Sequence, residues 1–217
     1  MTVSIKFEAN QDYQLEAVES VVNLFAGHSE IAATFVQNIG EAGFDDGAIF
    51  QDSVLANRLP CTDEQLRSNT RVVQNRMLAD GNGIQRMAVP EDLRIEFTDE
   101  APPRDFSVEM ETGTGKTYVY LRTMLELGQR YGLNKFVIVV PSVAIREGVV
   151  TALRLTKDHF REIYGGIQYD AYVYSSGSVS KLRQFATSSH IEILVINIQA
   201  FTRDENIIKR STDVLNG

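Results

Sequence analysis

The chain has 217 residues, is 43% hydrophobic and carries a formal net charge of −8. It can bury a sizeable core but is too acidic to coat nucleic acid by bulk charge. One cysteine, Cys61, excludes an internal disulfide and suits a reducing cytosol, while His28, His159 and His190 lie singly, without metal-ligand spacing. The longest apolar run, around "FVIVV", is too short to span a bilayer, and "MTVSIKFEANQ" lacks the pattern of a secretory signal. The expected setting is cytoplasmic, with no membrane partner.

In chain order, Asn10 and Asp12 are helix starters before "YQLEAVESVVNLFAG", where Leu15, Val18, Val22 and Phe25 share a helical face and Gly27 is a stop. Residues 28 to about 60, including "GEAGFDDG", lack a period and read as loop with short elements. Thr62 and Gln65 have the spacing of a capping box for a helix through about Ala79, ended by "GNG". "LRIEF" alternates as a strand, and "TDEAPPRD" is a turn-rich link. From Phe106 the pattern becomes regular. "FSVEM" reads as a strand, followed by a helix from about Lys116 to Tyr131. "KFVIVVP" is a continuous apolar run of the kind buried on both faces of a parallel sheet. "SVAIREGVVTALRL" is helical with Ser142 as cap, and the strands "YDAYVYSS" and "IEILVINI" flank a short helix in "SVSKLRQFAT". Strand and helix alternate four times, which predicts an α/β layer with parallel strands.

The expected division is an acidic helix-and-loop section over 1–105 and a P-loop lobe over 106–217. The first section holds 8 basic and 18 acidic side chains, a net of −10, and the second has a net of +2. The second is therefore free to meet an anion.

The chemistry centres on "METGTGKT". A strand, a glycine turn and a helix are the context a P-loop requires, although the strict pattern has glycine where this chain has Met110. Met110 does none of the phosphate work. Gly113 and Gly115 let backbone N–H groups approach phosphates, with Thr112 and Thr114 in the same loop. Lys116 brings charge to the β- and γ-phosphates, Thr117 offers a hydroxyl to Mg²⁺, and the helix start adds its positive end. ATP and Mg²⁺ are the implied ligands, with Lys116 and Thr117 the catalytic pair. Tyr118 and Tyr120 are expected to pack.

Together, "VEMETGTGKTYVYLRTM", "KFVIVVPSVAIREGV" and "ILVINIQAF" resemble the start of the Res subunit of type III restriction enzymes, a group of helicase-like ATPases. The resemblance runs from the first helix to about Phe201. It implies a RecA-like P-loop lobe, duplex DNA as substrate and a modification methyltransferase as partner. It also implies that Gln14, in "DYQLEAV" with Tyr13 beside it, reads adenine through its amide. "PSVAIRE", with Ser142 and Arg146, and "INIQAFTR" resemble elements that touch a DNA backbone.

No apolar strand here ends in Asp-Glu; "ILVIN" ends at Asn197. The resemblance puts that pair beyond Phe201, so the expectation is an incomplete lobe, truncated before the Asp-Glu motif, from the N-terminal portion of a longer protein. In such a portion "FSVEM" should be poorly paired, or the other strands should close in a different order, and hydrolysis should be absent. Two rivals stay open: a small P-loop kinase, and a non-catalytic nucleotide-binding or interaction protein on a degenerate ATPase lobe.

Overall fold

A three-stranded parallel sheet and a group of helices around the glycine loop form the two parts of the fold. The computed structural model describes residues 8–27, 34–37, 54–79, 85–87, 89–94, 104–175 and 179–200. In chain order they comprise α1 (Asp12–Val22), β1 (Thr34–Gln37), β2 (Val54–Asn57), α2 (Asp63–Gln74), β3 (Met77–Ala79), β4 (Gln85–Met87), α3 (Lys116–Tyr131), β5 (Lys135–Val140), α4 (Val143–Ile163), β6 (Tyr169–Val173), α5 (Val179–Thr187) and β7 (Ile191–Asn197). One compact unit holds α1, α2, β3, β4, the glycine loop and α3; the other holds β1, β2 and everything from β5 onward.

In the first unit, α1 begins where the Gln11 carbonyl accepts from the N–H groups of Gln14 and Leu15, each at 3.0 Å. Its buried stripe is Gln14, Val18 and Val22, at i, i+4 and i+8. A short 3-10 turn over Asn23–Phe25 follows, and Gly27 leaves it at φ 94°, open to glycine at little cost. α2 starts at the expected capping box, with both halves formed: Gln65 N donates to Thr62 Oγ1 at 3.2 Å, and Thr62 N to Gln65 Oε1 at 2.9 Å. Leu66 of α2 meets Leu24 and Cys61 in a small core, with Phe106 packed against it. Asn69 Nδ2 donates to the carbonyls of Leu24 (2.9 Å) and Ala26 (2.8 Å), satisfying acceptors that the end of the first helix leaves open.

Three expectations change in this unit. α2 ends at Gln74, not near Ala79, and Met77–Ala79 pairs antiparallel with Gln85–Met87. The hairpin competes successfully for residues whose helical pattern had already weakened at Asn75. "FSVEM" forms no strand; Phe106–Met110 runs without ladder bonds, with Ser107, Val108 and Glu109 exposed. A strand needs a neighbour to bond its backbone, and among the described residues this segment has none. It is the poorly paired outcome expected above. The predicted strand "LRIEF" is also revised at its start, because Leu93 closes a 3-10 turn over Glu91–Leu93; positions 95–97 lie outside the described residues, as do "GEAGFDDG" and "GNG".

The second unit carries the parallel sheet in the order β5-β7-β6, with Lys135 opposite Glu192 and Tyr169 opposite Ile191. The central strand β7 is buried from Glu192 through Ile196. α4 lays Val149, Leu153, Thr156 and Phe160 toward the core, and Tyr169 Oη donates to the Leu153 carbonyl at 3.0 Å. β5 departs from expectation: Ile138 and Val140 are buried, but Val137 and Val139 are 49% and 48% exposed. Full burial belongs to the central strand, and among the described residues β5 has a ladder neighbour on one side only. At its start Asn57 of β2 substitutes for a second neighbour. The Asn57 amide accepts from the N–H groups of Asn134 (2.9 Å) and Lys135 (3.0 Å) and donates to the Lys135 carbonyl at 2.7 Å.

Candidate nucleotide-binding site

Gly113 and Gly115 both adopt φ 86°, the left-handed region that L side chains rarely enter, so the loop requires glycine at both places. Thr114 closes the turn between them, donating from N (3.4 Å) and Oγ1 (2.6 Å) to the Glu111 carbonyl. α3 then starts at Lys116, and its first helical bond runs from Val119 N to the Gly115 carbonyl at 3.0 Å. The N–H groups ahead of Val119 have no partner within the helix, which leaves an anion-binding start.

The side chains of the loop take distinct positions. Lys116 is exposed and its Nζ donates to the Met110 carbonyl. The residue that departs from the usual glycine thus contributes a backbone oxygen, a role any side chain would allow. Thr112 is exposed and Thr117 half-buried. Burial pushes the Tyr120 phenol above its usual range, and the neighbouring Thr117 hydroxyl opposes that shift. Tyr118 is buried and packs, as expected.

Gln14 stands closer to the loop than its sequence position suggests. It is 7% exposed, and its Nε2 donates to the Thr114 carbonyl at 2.9 Å. A Cβ on Gly115 would lie 2.6 Å from the same Nε2, so the glycine is needed for space as well as for conformation. Tyr13 Oη donates to Gln11 Oε1 and lies 3.5 Å from Gln14 Nε2. Behind these residues is a cavity of about 740 Å³ between α1, α2 and the 105–111 segment, lined in part by Tyr13, Ala17, Gln74, Phe106 and Thr114. Sequence periodicity carries no signal for this cavity, because its walls come from four separate segments, residues 89–93 among them.

α1 and α3 pack together and are clamped at the far end of α3. Arg130 Nη1 and Nη2 donate to the two carboxylate oxygens of Glu19 at 3.1 and 2.5 Å, and its Nε to Glu126 at 2.9 Å. The Arg130 side chain is 40% exposed, so the clamp orients the helices more than it stabilises them.

Ser142 and Arg146 belong to the other unit. Ser142 caps α4 as expected, its Oγ accepting from Ile145 N at 3.3 Å. Arg146 donates through Nε (3.2 Å) and Nη2 (2.9 Å) to Glu147 Oε1. Because β5 and β7 are ladder neighbours, the segments following them meet: Gln199 Nε2, in a 3-10 turn over Ile198–Ala200, donates to the Pro141 carbonyl at 3.0 Å. "PSVAIRE" and the start of "INIQAFTR" therefore share one edge of the sheet. Residues from Phe201 lie outside the described set.

A family model described as "Type III restriction enzyme, res subunit" matches residues 9–215. The chain belongs to that family. It is 34% identical to the EcoPI Res subunit of Escherichia phage P1 over 167 residues, covering 76% of this chain and 14% of that protein. It is 37% identical to the StyLTI Res subunit of Salmonella typhimurium over 135 residues, 52% of this chain and 13% of the relative. The EcoP15I Res subunit of Escherichia coli is 31% identical over 169 residues, 76% and 14% of the two chains. The chain thus spans about one-seventh of the length of these curated relatives. Membership in the Res family makes this an α/β protein of the RecA-like class with a helicase-like ATPase domain. Among the described residues, no helix is long and apolar enough to cross a membrane.

Proposed function

We infer that this Res-family chain supplies the ATP-binding part of a type III restriction endonuclease subunit. The whole protein would be a cytoplasmic ATP-dependent, helicase-like enzyme that moves or switches on duplex DNA and cleaves it with a modification methyltransferase partner. The observation that carries the nucleotide reading is the joining of Gln14 to the Thr114 carbonyl beside two left-handed glycines at the start of α3.

The residues present fit a Mg²⁺-bound triphosphate. The backbone of Gly113 through Gly115 has no side chain to keep phosphate oxygens away on the glycine positions, and the start of α3 offers N–H groups that bond no carbonyl of their own helix. With nucleotide bound, Lys116 Nζ would leave the Met110 carbonyl for the β- and γ-phosphates. The Thr117 hydroxyl is the group here that would hold Mg²⁺, which neutralises charge across those phosphates when bound. Gln14 Oε1 is the acceptor that an adenine edge would use, and the donor would be the amide hydrogen that Nε2 now points at Tyr13 Oη over 3.5 Å. Ser142 and Arg146, with the Gln199–Pro141 edge, form the proposed contact with a DNA backbone.

Replacing Lys116 tests the reading. Lys116→Ala in the full-length protein removes a charge-assisted contact of roughly 1.5–3 kcal/mol. It should weaken ATP binding about tenfold or more and abolish turnover. Normal steady-state hydrolysis by that variant sinks the P-loop assignment. Tight binding without hydrolysis by the unsubstituted full-length protein would instead favour a non-catalytic nucleotide-binding protein.

A further inference from the structure

α4 sorts its charges into sectors. At 3.6 residues per turn and 1.5 Å rise, Arg146, Arg154, Lys157 and Arg161 fall within about 80° of one another and extend about 22 Å along the axis. The buried face of Val149, Leu153, Thr156 and Phe160 borders this arc on one side, and Glu147, Asp158 and Glu162 border it on the other. Lys157 Nζ sits 5.8 Å from the centroid of the Tyr169 ring, so the basic flank overhangs the β6 edge of the sheet. Arg154, Lys157 and Arg161 are exposed.

This arrangement works against the helix that carries it. Arg154 and Lys157 are three apart, Lys157 and Arg161 four apart, and like charges at those spacings repel. Asp158 stands four residues after Arg154, at the right spacing for a pair, yet neither Arg154 nor Arg161 makes an ion pair among the described residues. Only Arg146, at the N-terminal end, is held by an internal carboxylate. A row of cations on a rigid element, without ion-pair partners among the described residues, matches a polyanion with closely spaced charges; duplex DNA carries one per about 1.7 Å of its axis.

We propose that the Arg154–Lys157–Arg161 face of α4 is a phosphate-backbone-tracking surface for nucleic acid, continuing from the Ser142 and Arg146 end of the same helix. The proposal rests on the DNA reading above and extends it to residues that no motif marks. It supplies register-independent electrostatic grip, not base readout.

The test is binding of a short fluorescein-labelled duplex to the full-length protein across a salt series. In R154Q/K157Q/R161Q the log–log salt slope should fall by about 2–3 and affinity by about tenfold or more. The charge-preserving R154K/K157R/R161K should keep the parental slope, and D158N/E162Q should bind more tightly. Binding of a fluorescent ATP analogue should be unchanged in all three, which reports an intact fold. A parental slope in the glutamine triple variant, or a lost slope in the charge-preserving one, overturns the α4 surface and leaves the nucleotide and DNA readings standing. Failure of the unsubstituted protein to bind duplex while it binds the ATP analogue overturns the DNA reading and the surface together.

Discussion

Gln14 Nε2 donates to the Thr114 carbonyl across 2.9 Å, tying the first turn of α1 to the glycine loop. Gln14 is therefore a support for the loop as well as the proposed reader of the base. Gln14→Ala should weaken ATP binding about 2–10-fold, the value of one hydrogen bond of roughly 0.5–1.5 kcal/mol, and should reduce the preference for ATP over GTP. Both affinities can be measured on the full-length protein. A weaker but unchanged ATP:GTP ratio would leave Gln14 the support role alone.

Gly115 carries two constraints, of which Gly113 shares one. Both have φ 86°, but only at Gly115 would a Cβ collide, 2.6 Å from Gln14 Nε2; at Gly113 nothing lies within 4 Å. Each alanine should cost about 1–2 kcal/mol in backbone strain, with Gly115→Ala the worse. In equilibrium binding, Gln14→Ala combined with Gly115→Ala should recover the steric part only. Equal losses for the two single alanines would contradict the observed geometry.

The capping box of α2 is exposed and local, so its effect should be local too. Thr62→Ala should cost about 1 kcal/mol, and Thr62→Ser should cost little. Hydrogen exchange read by mass spectrometry should accelerate in the first turn of α2 and remain unchanged in α4. Unchanged exchange in α2 would show that the cap is dispensable.

Lys135 should titrate below an ordinary lysine. Burial lowers its pKa, and the facing carboxylate of Glu192 pulls it partly back. The folded value lies below the unfolded one, so the folded chain sheds this proton first. The corresponding penalty is present at neutral pH and is relieved as pH rises from the folded pKa toward the usual lysine range. Glu192→Gln removes the opposing charge and should lower the Lys135 pKa further, as read by competitive acetylation against pH. An upward shift in that variant would contradict the cause given.

What was legible from the residues was mostly what is decided within a few positions. Lys116 and Tyr131 bound α3 as expected, Ser142 and Thr62 cap their helices, and Gly113 and Gly115 take the backbone that a phosphate loop needs. What failed depended on neighbours distant in sequence. "KFVIVV" and "IEILVIN" are equally apolar, and only the strand order makes one central and leaves Val137 and Val139 of the other exposed. "FSVEM" alternates as a strand should but finds no ladder. The burial of Gln14 in line with Val18 and Val22 has no local signal, because its partner is a carbonyl 100 positions away.

The strand order also sets a timetable. Among the described residues β5 and β6 do not pair with each other; each is bonded to β7, which follows both of them in the chain with α4, β6 and α5 between β5 and β7. During synthesis α4 can form as soon as it emerges, but the sheet it covers cannot begin until Ile191–Asn197 arrives, after a long loop has been closed. Among the described residues, β7 is thus the keystone of the three-stranded sheet. A lesion at Ile193 or Val195 would remove the strand that both β5 and β6 bond, whereas one at Val137 would cost a single edge.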